Sequence, residues 1–490
     1  MKRLSGKFTA VCLVLVLAAV AATRTQAQTF TVLHSFAGPP TDGAFSAAGL
    51  VMDAAGNLYG TTAFGGSGTC IALGMRGCGT VFKLDPSGNE TVLHQFSGGD
   101  GAIPAAGLLM DAAGNLYGTT VEGGGAGFCG NFGCGTVFKL DPAGHETVLH
   151  GFTGGSDGGN PTGGLIMDST GNLYGTAGFG GTFGAGVVFR VDTLGNERVL
   201  HNFTGGDGRE PSAALIMDAA GNLYTTAFRG GAADFGTVVK FDSSGNSTVL
   251  HVFTGGSDGG HPAAGLIIDS AGNLYGTTES GGTGGFGTVF KLDPLGNLTV
   301  LHAFTGGSDG GNQAQEGIPG AGLIMDAGGN LYGTTSDGGS AGSVFKLDTS
   351  RNEIVLHNFT GGAEGANPLA GLIIDSTGNL YGTASGGGAS GRGTVFKLTV
   401  QTPQQVTQAV VNSVNALFSQ GVLNGGQDNS LVTQLQHAIN MMNAGKNAGA
   451  IGNLESFISE VNDLLSSGVL SPSQAAPLVN AAQAVIARLS

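Results

Sequence analysis

The sequence predicts an all-β fold, a seven-bladed β-propeller with four strands per blade, followed by a small all-α domain. A phrase of the form T-V-L-H-x-F recurs at intervals of about 50–60 residues, within or just above the range of repeat architectures. Between its copies, close variants of A-G-L-I-M-D, G-N-L-Y-G-T-T and G-T-V-F-K-L-D always follow in this order. Four short apolar segments, repeated seven times, are typical of propeller blades. The repeat histidines are His34, His94, His150, His201, His251, His302 and His357.

The second repeat illustrates how each element is expected to fold. Residues 106–111 form a nearly continuous apolar run, as expected for an innermost strand covered on both faces. Segments 116–120, 135–140 and 146–150 supply the next three strands. Tight turns rich in Asp, Pro and Gly join strands one to two and three to four, whereas the other two connections are long and vary between repeats. The variable connections therefore share one face of the disc, where binding residues usually lie.

The two ends of the repeat region predict how the ring closes. Residues 30–34 read F-T-V-L-H, an outermost-strand phrase with no blade before it. The last repeat ends at 394–398 without an outermost strand of its own. We therefore expect the N-terminal strand to complete the last blade, which removes an exposed sheet edge. The propeller is assigned to residues 28–398.

Composition and the N-terminus indicate an exported, acidic protein. Residues 1–27 combine Lys2, Arg3 and Lys7 with an apolar run and a small-x-small cleavage site, and we expect a signal peptide there. The 490 residues carry a formal net charge of −15, which argues against nucleic acid and anionic lipid as partners. No later segment predicts a membrane span. The predicted location is extracellular or at the surface of a bacterium, and a monomer is expected.

Four cysteines follow the predicted cleavage site. Cys70 and Cys78 lie in one loop, and Cys129 and Cys134 lie at the same place in the next repeat. Local disulfides, Cys70 with Cys78 and Cys129 with Cys134, are the simplest pairing in an oxidising compartment. Zinc binding is the alternative, but the spacing is not C-x-x-C and no histidine is nearby.

After residue 398 the apolar pattern changes from strand-like to helix-like. Residues 399–405 form a polar linker, and 406–490 carry four amphipathic helical segments that predict a helical bundle. The S-P-S-Q phrase at 471–474 predicts the start of the last helix, with Ser as cap and Pro at the first position. The apolar face of the first helix comprises Val406, Val410, Val414, Leu417 and Phe418.

The phrases G-L-I-M-D-A-A-G-N-L-Y-G-T-T and G-T-V-F-K-L-D-P-x-G-N-x-T-V-L-H-x-F resemble the GloVer-type tandem repeats of exported bacterial proteins. The resemblance covers residues 30–398. It implies a surface or secreted location and brings no catalytic residue set. The stretch 435–489, centred on Phe457 and Ile458, resembles the FIMAH module at the C-terminus of many exported bacterial proteins. That resemblance implies an accessory module.

Residues that recur in every repeat are expected to serve the fold. An enzyme needs one asymmetric site, so we interpret the repeat histidines as structural groups that bond to a neighbouring strand or turn within their blade. The recurring tyrosines are interpreted as interblade packing, and the aspartates that end the innermost strands as turn caps. A second set of aspartates lies in the variable loops, where solvation, calcium binding and sugar binding are the alternatives. This set comprises Asp100, Asp157, Asp207, Asp258 and Asp309.

Residues that break the repeat are better candidates for a unique site. An acidic–basic–histidine set near the mouth of the central channel would suit a lyase or hydrolase, although the sequence assigns no catalytic residue. The candidates on the variable face, besides the loop aspartates, are Arg76, Glu122, Asn160, Arg209, Glu210, Arg229, Asp234 and His261.

These observations predict an exported, non-catalytic scaffold that binds an extracellular or cell-envelope ligand, a glycan or another protein, through its variable face. A propeller enzyme, such as a lyase or glycan-active hydrolase, and a purely structural surface repeat are the alternatives. Exposed aromatic platforms for sugars are not evident, because tryptophan is absent and every tyrosine belongs to the repeat. No cofactor is expected, with Ca²⁺ as the alternative.

Overall fold

The computed structural model describes residues 28–72, 74–125, 129, 133–307, 309–311, 322–337, 341–400 and 402–489. The predicted signal peptide lies outside the described residues. Within them, seven antiparallel four-stranded sheets form a seven-bladed β-propeller, and four helices follow. The predicted fold class is confirmed.

Six blades run from the innermost to the outermost strand in chain order, with short extra strands inserted in the first blade, and the seventh takes its outermost strand from the N-terminus. Two short hairpin-like pairs, Gly43–Ala44 with Phe64–Gly65 and Ile71–Ala72 with Met75–Arg76, accompany the first blade. From innermost to outermost, the strands are Val51–Met52, Leu58–Thr62, Thr80–Leu84 and Glu90–Gln95 in the first blade; Leu109–Met110, Leu116–Thr120, Thr136–Leu140 and Glu146–Gly151 in the second; and Ile166–Met167, Leu173–Ala177, Val187–Val191 and Glu197–Asn202 in the third. The fourth blade has Ile216–Met217, Leu223–Ala227, Thr237–Phe241 and Ser247–Val252, and the fifth has Ile267–Ile268, Leu274–Thr278, Thr288–Leu292 and Leu298–Ala303. The sixth blade has Ile324–Met325, Leu331–Thr335, Ser343–Leu347 and Glu353–Asn358, and the seventh has Ile373–Ile374, Leu380–Ala384, Thr394–Val400 and Gln28–Ser35.

The innermost strands are shorter than the apolar runs predicted. In the second blade only Leu109–Met110 pairs as a strand, rather than the whole of 106–111. The residues before it pack against the neighbouring blade instead: a Cβ added to Gly107 would lie 3.3 Å from the carbonyl oxygen of Gly49. Each blade repeats this close backbone approach, and small residues permit it. The positions are Gly49, Gly107, Gly164, Ala214, Gly265, Gly322 and Gly371.

Two further contacts recur between neighbouring blades. A threonine of strand two donates its hydroxyl to a backbone carbonyl of the next blade, as Thr61 does to Ala106 at 3.2 Å. The phenylalanine that follows strand four packs edge to face on a phenylalanine of strand three in the next blade, as in Phe152 and Phe189 at 5.0 Å between ring centroids. Both rings are fully buried. The apolar core is therefore divided among the seams between blades, where aromatic packing stabilises neighbouring sheets against each other.

The ring closes as predicted. Gln28–Ser35 pairs antiparallel with Thr394–Val400 and becomes the outermost strand of the seventh blade. Thr383 donates its hydroxyl to the carbonyl of Ala48 at 3.1 Å, which repeats the interblade bond at the seam between the last and first blades. The N-terminal strand thus supplies the edge that the last repeat lacks.

The recurring aspartate and tyrosine act together in the turn between strands one and two. Asp111 Oδ1 accepts the backbone N–H groups of Ala113 and Asn115, and its Oδ2 accepts the hydroxyl of Tyr117 at 3.1 Å. The ammonium group of Lys139 lies 5.8 Å from the centroid of the Tyr117 ring. The turn-cap interpretation is confirmed, and the tyrosine hydroxyl finds its partner inside its own turn.

Four helices pack around a separate apolar core that includes Leu435, Phe457 and Val485. The polar connection is shorter than the predicted linker 399–405, because Thr402 and Gln405 form a capping box that starts the first helix at Pro403. Phe418, predicted on the buried face, is 45% exposed. No helix among the described residues is long and apolar enough to cross a membrane. The helices are Pro403–Ser419, Gly425–Asn443, Asn447–Ser466 and Pro472–Leu489.

Candidate functional site

The variable connections gather on one side of the propeller, which we call the loop face. The strands of each blade are antiparallel, so the connections from strand two to three and from one blade to the next leave from the same edge. The tight turns occupy the opposite side, which we call the turn face. All the candidates that break the repeat lie in connections of the loop face.

A left-handed residue holds each described blade-to-blade connection in place. His261 has a φ of 57°; its N–H donates to the carbonyl of Phe235 in the preceding blade, and its carbonyl accepts from Glu279 in its own blade. This residue therefore links two blades through its backbone, while its side chain is free to vary. Such a conformation costs an L-residue free energy, so the surrounding structure must fix it. The described examples are Phe45, Ile103, Asn160, Glu210, His261 and Asn367, with φ between 52° and 61°.

Four of the predicted residues meet in one ion-pair network at the fourth blade. Arg209 holds Asp234 with two parallel bonds, Nε to Oδ1 at 3.0 Å and Nη2 to Oδ2 at 2.7 Å. Glu210 lies between the two arginines, 3.2 Å from Arg209 Nη1 and 3.4 Å from Arg229 Nε. The Arg209 guanidinium lowers the pKa of Asp234 to about 2. The network presents both signs of charge to solvent in a fixed arrangement.

His261 lies between two aromatic rings beside this network. Its ring centroid is 5.0 Å from that of Phe228 and 5.2 Å from that of Phe235, and its Nδ1 is 2.9 Å from the hydroxyl of Ser280. The guanidinium of Arg229 lies over the Phe228 ring as well, 5.7 Å from its centroid. The fourth and fifth blades therefore bring charged, aromatic and imidazole groups together at one place on the loop face.

The neighbouring connection of the third blade exposes two aromatic side chains. Phe179 is 53% exposed and Phe183 is 63% exposed, and both follow strand two of that blade. Glu210 is joined to the same loop through its N–H, which donates to the carbonyl of Ala185. The expectation that aromatic platforms are not evident is therefore wrong. The exposed aromatic side chains are phenylalanines, whereas the expectation rested on tryptophan and tyrosine only.

The loop aspartates are the partners of the repeat histidines. His201 Nε2 lies 2.8 Å from Asp207 Oδ2, whose other oxygen accepts the N–H and hydroxyl of Thr204. The histidine therefore bonds to a loop carboxylate rather than to a strand or turn of its blade. Because the oxygens of these carboxylates already accept hydrogen bonds within the fold, fewer of their lone pairs are available to calcium or a sugar. The corresponding Nε2–Oδ2 distances for Asp100, Asp157, Asp258 and Asp309 are 3.0, 3.5, 3.2 and 3.6 Å.

The remaining candidates lie apart from the network. Glu122 pairs through its backbone with Ala102, and burial raises the pKa of its carboxyl. Asn160 donates its side-chain amide to the carbonyl of Val121 at 3.0 Å, which links two blades. Arg76 is exposed in the short strand Met75–Arg76. These three residues are not brought together with His261.

The predicted disulfides are present. Cys70 is bonded to Cys78, and Cys129 is bonded to Cys134. Each bond ties down a connection of the loop face, in the first and second blades. The zinc alternative therefore does not apply to these cysteines.

The repeats match a known family along most of the chain. The model of the Gloeobacter/Verrucomicrobia repeat matches residues 19–130, 126–322 and 311–457. The chain belongs to the Gloeobacter/Verrucomicrobia repeat family. No curated protein matches the chain.

Solved structures similar to this Gloeobacter/Verrucomicrobia repeat protein are remote in sequence. The extracellular domain of a protein assigned to a hybrid two-component system of B. thetaiotaomicron is 12% identical, with a TM-score of 0.47, over 76% of this chain. The chain spans 41% of the length of that protein. A gluconolactonase from Xanthomonas campestris is 15% identical, with a TM-score of 0.36, over 59% of this chain and 83% of its own.

Sequence reasoning missed one residue of the site, Glu279. It is the first residue after strand two of the fifth blade, where other copies of the Gloeobacter/Verrucomicrobia repeat have Ala63, Val121 or Gly178. Its side chain is 7% exposed, and its Oε2 has no hydrogen-bond partner among the described residues. Burial raises the pKa of this carboxyl to about 8. An acidic residue at a position that is otherwise small or apolar was the available signal.

Proposed function

We propose that the chain is an exported, non-catalytic scaffold that binds an extracellular or cell-envelope ligand, a glycan or a protein, through its loop face. One observation carries this proposal: the third to fifth blades replace repeat residues with unlike side chains in neighbouring connections of the loop face. The ion pairs of Arg209, the ring stack at His261 and the exposed Phe179 and Phe183 belong to neighbouring connections.

The chemistry of this group suits a ligand with both polar and apolar faces. Exposed phenylalanine rings pack on apolar surface, such as the C–H face of a sugar ring or an apolar side chain. The bidentate Arg209–Asp234 pair holds donors and acceptors in a fixed geometry, which lowers the ordering cost of binding. A rigid propeller with a variable loop face is a common way to place such groups.

The test is a glycan array together with capture from cell-envelope extract, using the intact secreted protein. The double variant Phe179→Ala/Phe183→Ala and the single variant Arg209→Ala should each weaken binding of the identified ligand by about tenfold or more. The matched control is Leu194→Ala, because Leu194 is 85% exposed in the same blade but on the turn face. Binding that is unchanged in both loop-face variants would contradict the proposed face and favour a structural role.

A second candidate function, a lyase or glycan-active hydrolase, is favoured by Glu279 alone. A carboxyl with a pKa of about 8 stays protonated at neutral pH and is able to donate a proton to a leaving group. Its backbone N–H donates to the carbonyl of His261, which places Glu279 at the fifth-blade side of the candidate site. Turnover of a bound glycan that is lost in Glu279→Gln, with binding retained, would establish this alternative over the scaffold.

A further inference from the structure

At the seam between the seventh and first blades, a histidine, an aspartate and a glutamate lie closer together than the equivalent residues of the other described seams. His34 lies near the end of the N-terminal strand, Asp42 lies in the connection to the first blade, and Glu90 begins the outermost strand of that blade. His34 Nε2 is 3.6 Å from Asp42 Oδ2 and 3.7 Å from Glu90 Oε2. One donor atom from each of the three side chains lies within 4.8 Å of the others. Among the described residues, this is the one group of three with that arrangement.

The distances within this group are too long for hydrogen bonds. Nitrogen–oxygen hydrogen bonds span about 2.7–3.2 Å, and the pair of His201 and Asp207 falls in that range. Ligands held at about 2.0–2.2 Å from one metal ion are instead separated from each other by roughly 3–4 Å. The separations around His34 fall in this range, and the group differs from the 3.6 Å pair of His302 and Asp309 in having a third ligand atom within 4.8 Å among the described residues.

The three side chains are largely shielded from solvent. The side chains of His34, Asp42 and Glu90 are 18%, 11% and 12% exposed, so two carboxylates and one imidazole share a largely buried space. His34 Nε2 and Glu90 Oε1 are buried and have no hydrogen-bond partner among the described residues. A divalent cation would neutralise both carboxylates and satisfy the imidazole nitrogen.

We propose that His34, Asp42 and Glu90 bind a divalent transition-metal ion, such as Zn²⁺ or Mn²⁺, at the seam between the seventh and first blades. The imidazole nitrogen favours a transition metal over Ca²⁺, which prefers oxygen ligands throughout. The backbone N–H groups of Ala37 and Gly43 each donate to one oxygen of Asp42, which orients the carboxylate as supporting hydrogen bonds do in metal sites.

The proposed ion would link the first blade to the N-terminal strand, which joins the rest of the seventh blade only by pairing with Thr394–Val400. His34 belongs to the N-terminal strand, which completes the seventh blade, and Glu90 belongs to the first blade. A ligand set drawn from both blades binds the folded ring and not the unfolded chain. Metal binding should therefore raise the stability of the propeller by mass action.

The experiment uses the intact secreted protein, treated with EDTA and then freed of the chelator. Isothermal titration calorimetry with ZnCl₂ and MnCl₂ should detect one ion per chain for at least one metal, with a higher Tm in its presence. Co²⁺ should give visible absorption bands that change when the imidazole is replaced. Glu90→Gln and His34→Gln should each weaken affinity by about tenfold or more.

The matched control is His302→Gln, because His302 occupies the same repeat position and lies 3.6 Å from its own partner, Asp309. This variant should bind the metal as the wild type does. Absence of metal binding to the wild type, or binding that persists unchanged in His34→Gln, would overturn the proposal. If His34→Gln does not fold by circular dichroism, Glu90→Gln decides, since it removes a ligand charge while keeping the shape of the side chain.

Discussion

The ring of Phe36 packs edge to face on that of Phe82, with centroids 5.2 Å apart, across the seam between the last and first blades. The same contact joins Phe304 and Phe345 at 5.4 Å across the seam between the fifth and sixth blades. All four rings are at most 1% exposed. The closing seam therefore has the packing of the other seams, and the N-terminal strand is an integral part of the propeller.

Phe36→Ala and Phe304→Ala should have equal effects if closure is as complete as this packing indicates. Removing either ring leaves a cavity in a fully buried seam and should lower the free energy of unfolding by about 3–5 kcal/mol. Guanidinium denaturation of the two variants provides the comparison. Deletion of residues 28–37 should go further, with a lower Tm and aggregation, because it exposes the edge strand Thr394–Val400. A much smaller effect of Phe36→Ala than of Phe304→Ala would indicate a seam that opens.

The buried position of the repeat histidine predicts its contribution to stability. His201→Ala should lower the free energy of unfolding by about 1–3 kcal/mol, because it removes the partner of a carboxylate that is 15% exposed. The matched control is His145→Ala. His145 makes a similar 3.0 Å pair with Asp141, but its side chain is 80% exposed, so the loss should stay under about 0.5 kcal/mol. Equal losses in thermal or chemical denaturation would contradict the structural role of the buried pair.

The scaffold was predictable because the sequence pattern of each strand and tight turn recurs seven times. The turn caps at Asp111 and its equivalents, the closing strand and the four helices all follow from local patterns. The partner of each repeat histidine did not follow, since the loop aspartates recur six to seven residues later but their spacing does not show that the loop folds back onto the strand. The grouping of Arg209, Glu210, Arg229 and Asp234 was anticipated only as a possibility, because their geometry depends on how neighbouring blades meet.

The left-handed residues between blades are a second feature without a sequence signal. They include Ile103 and Phe45, which rarely adopt a positive φ. The bonds from each of these residues to two blades fix the conformation, so tertiary structure overrides local preference here. Two side chains of the candidate site, Glu210 and His261, occupy such positions.

Substitution at Asn367 tests this backbone constraint. Both Asn367→Gly and Asn367→Ala remove the side-chain amide, so their difference reports the cost of the φ of 52°. Asn367→Ala should be less stable by about 1–2 kcal/mol, since alanine is strained in this conformation and glycine is not. The free energies of unfolding from urea denaturation provide the measurement. Equal stability of the two variants would mean that the loop relaxes to another conformation.

The buried carboxyl of Glu279 predicts a pH-dependent cost to folding. Its pKa is about 8 in the folded chain, against 4.5 for an unperturbed glutamate. Below pH 4.5 both states hold the proton and the burial costs little. As the pH rises from 4.5 to 8, the unfolded chain releases a proton that the folded chain retains, so stability falls across this window and then levels off.

Glu279→Gln removes the titrating carboxyl, so the fall in stability between pH 4.5 and pH 8 should disappear. The variant should match the wild type near pH 4.5 and exceed it at pH 8.5 by an amount on the order of 5 kcal/mol, since each pKa unit corresponds to about 1.4 kcal/mol. Thermal denaturation at a series of pH values measures the difference. The exposed Glu455→Gln serves as control and should leave the profile unchanged. A constant difference between Glu279→Gln and the wild type at every pH would show that the carboxyl is ionised in the folded protein, and would remove the observation that favours proton donation at this site.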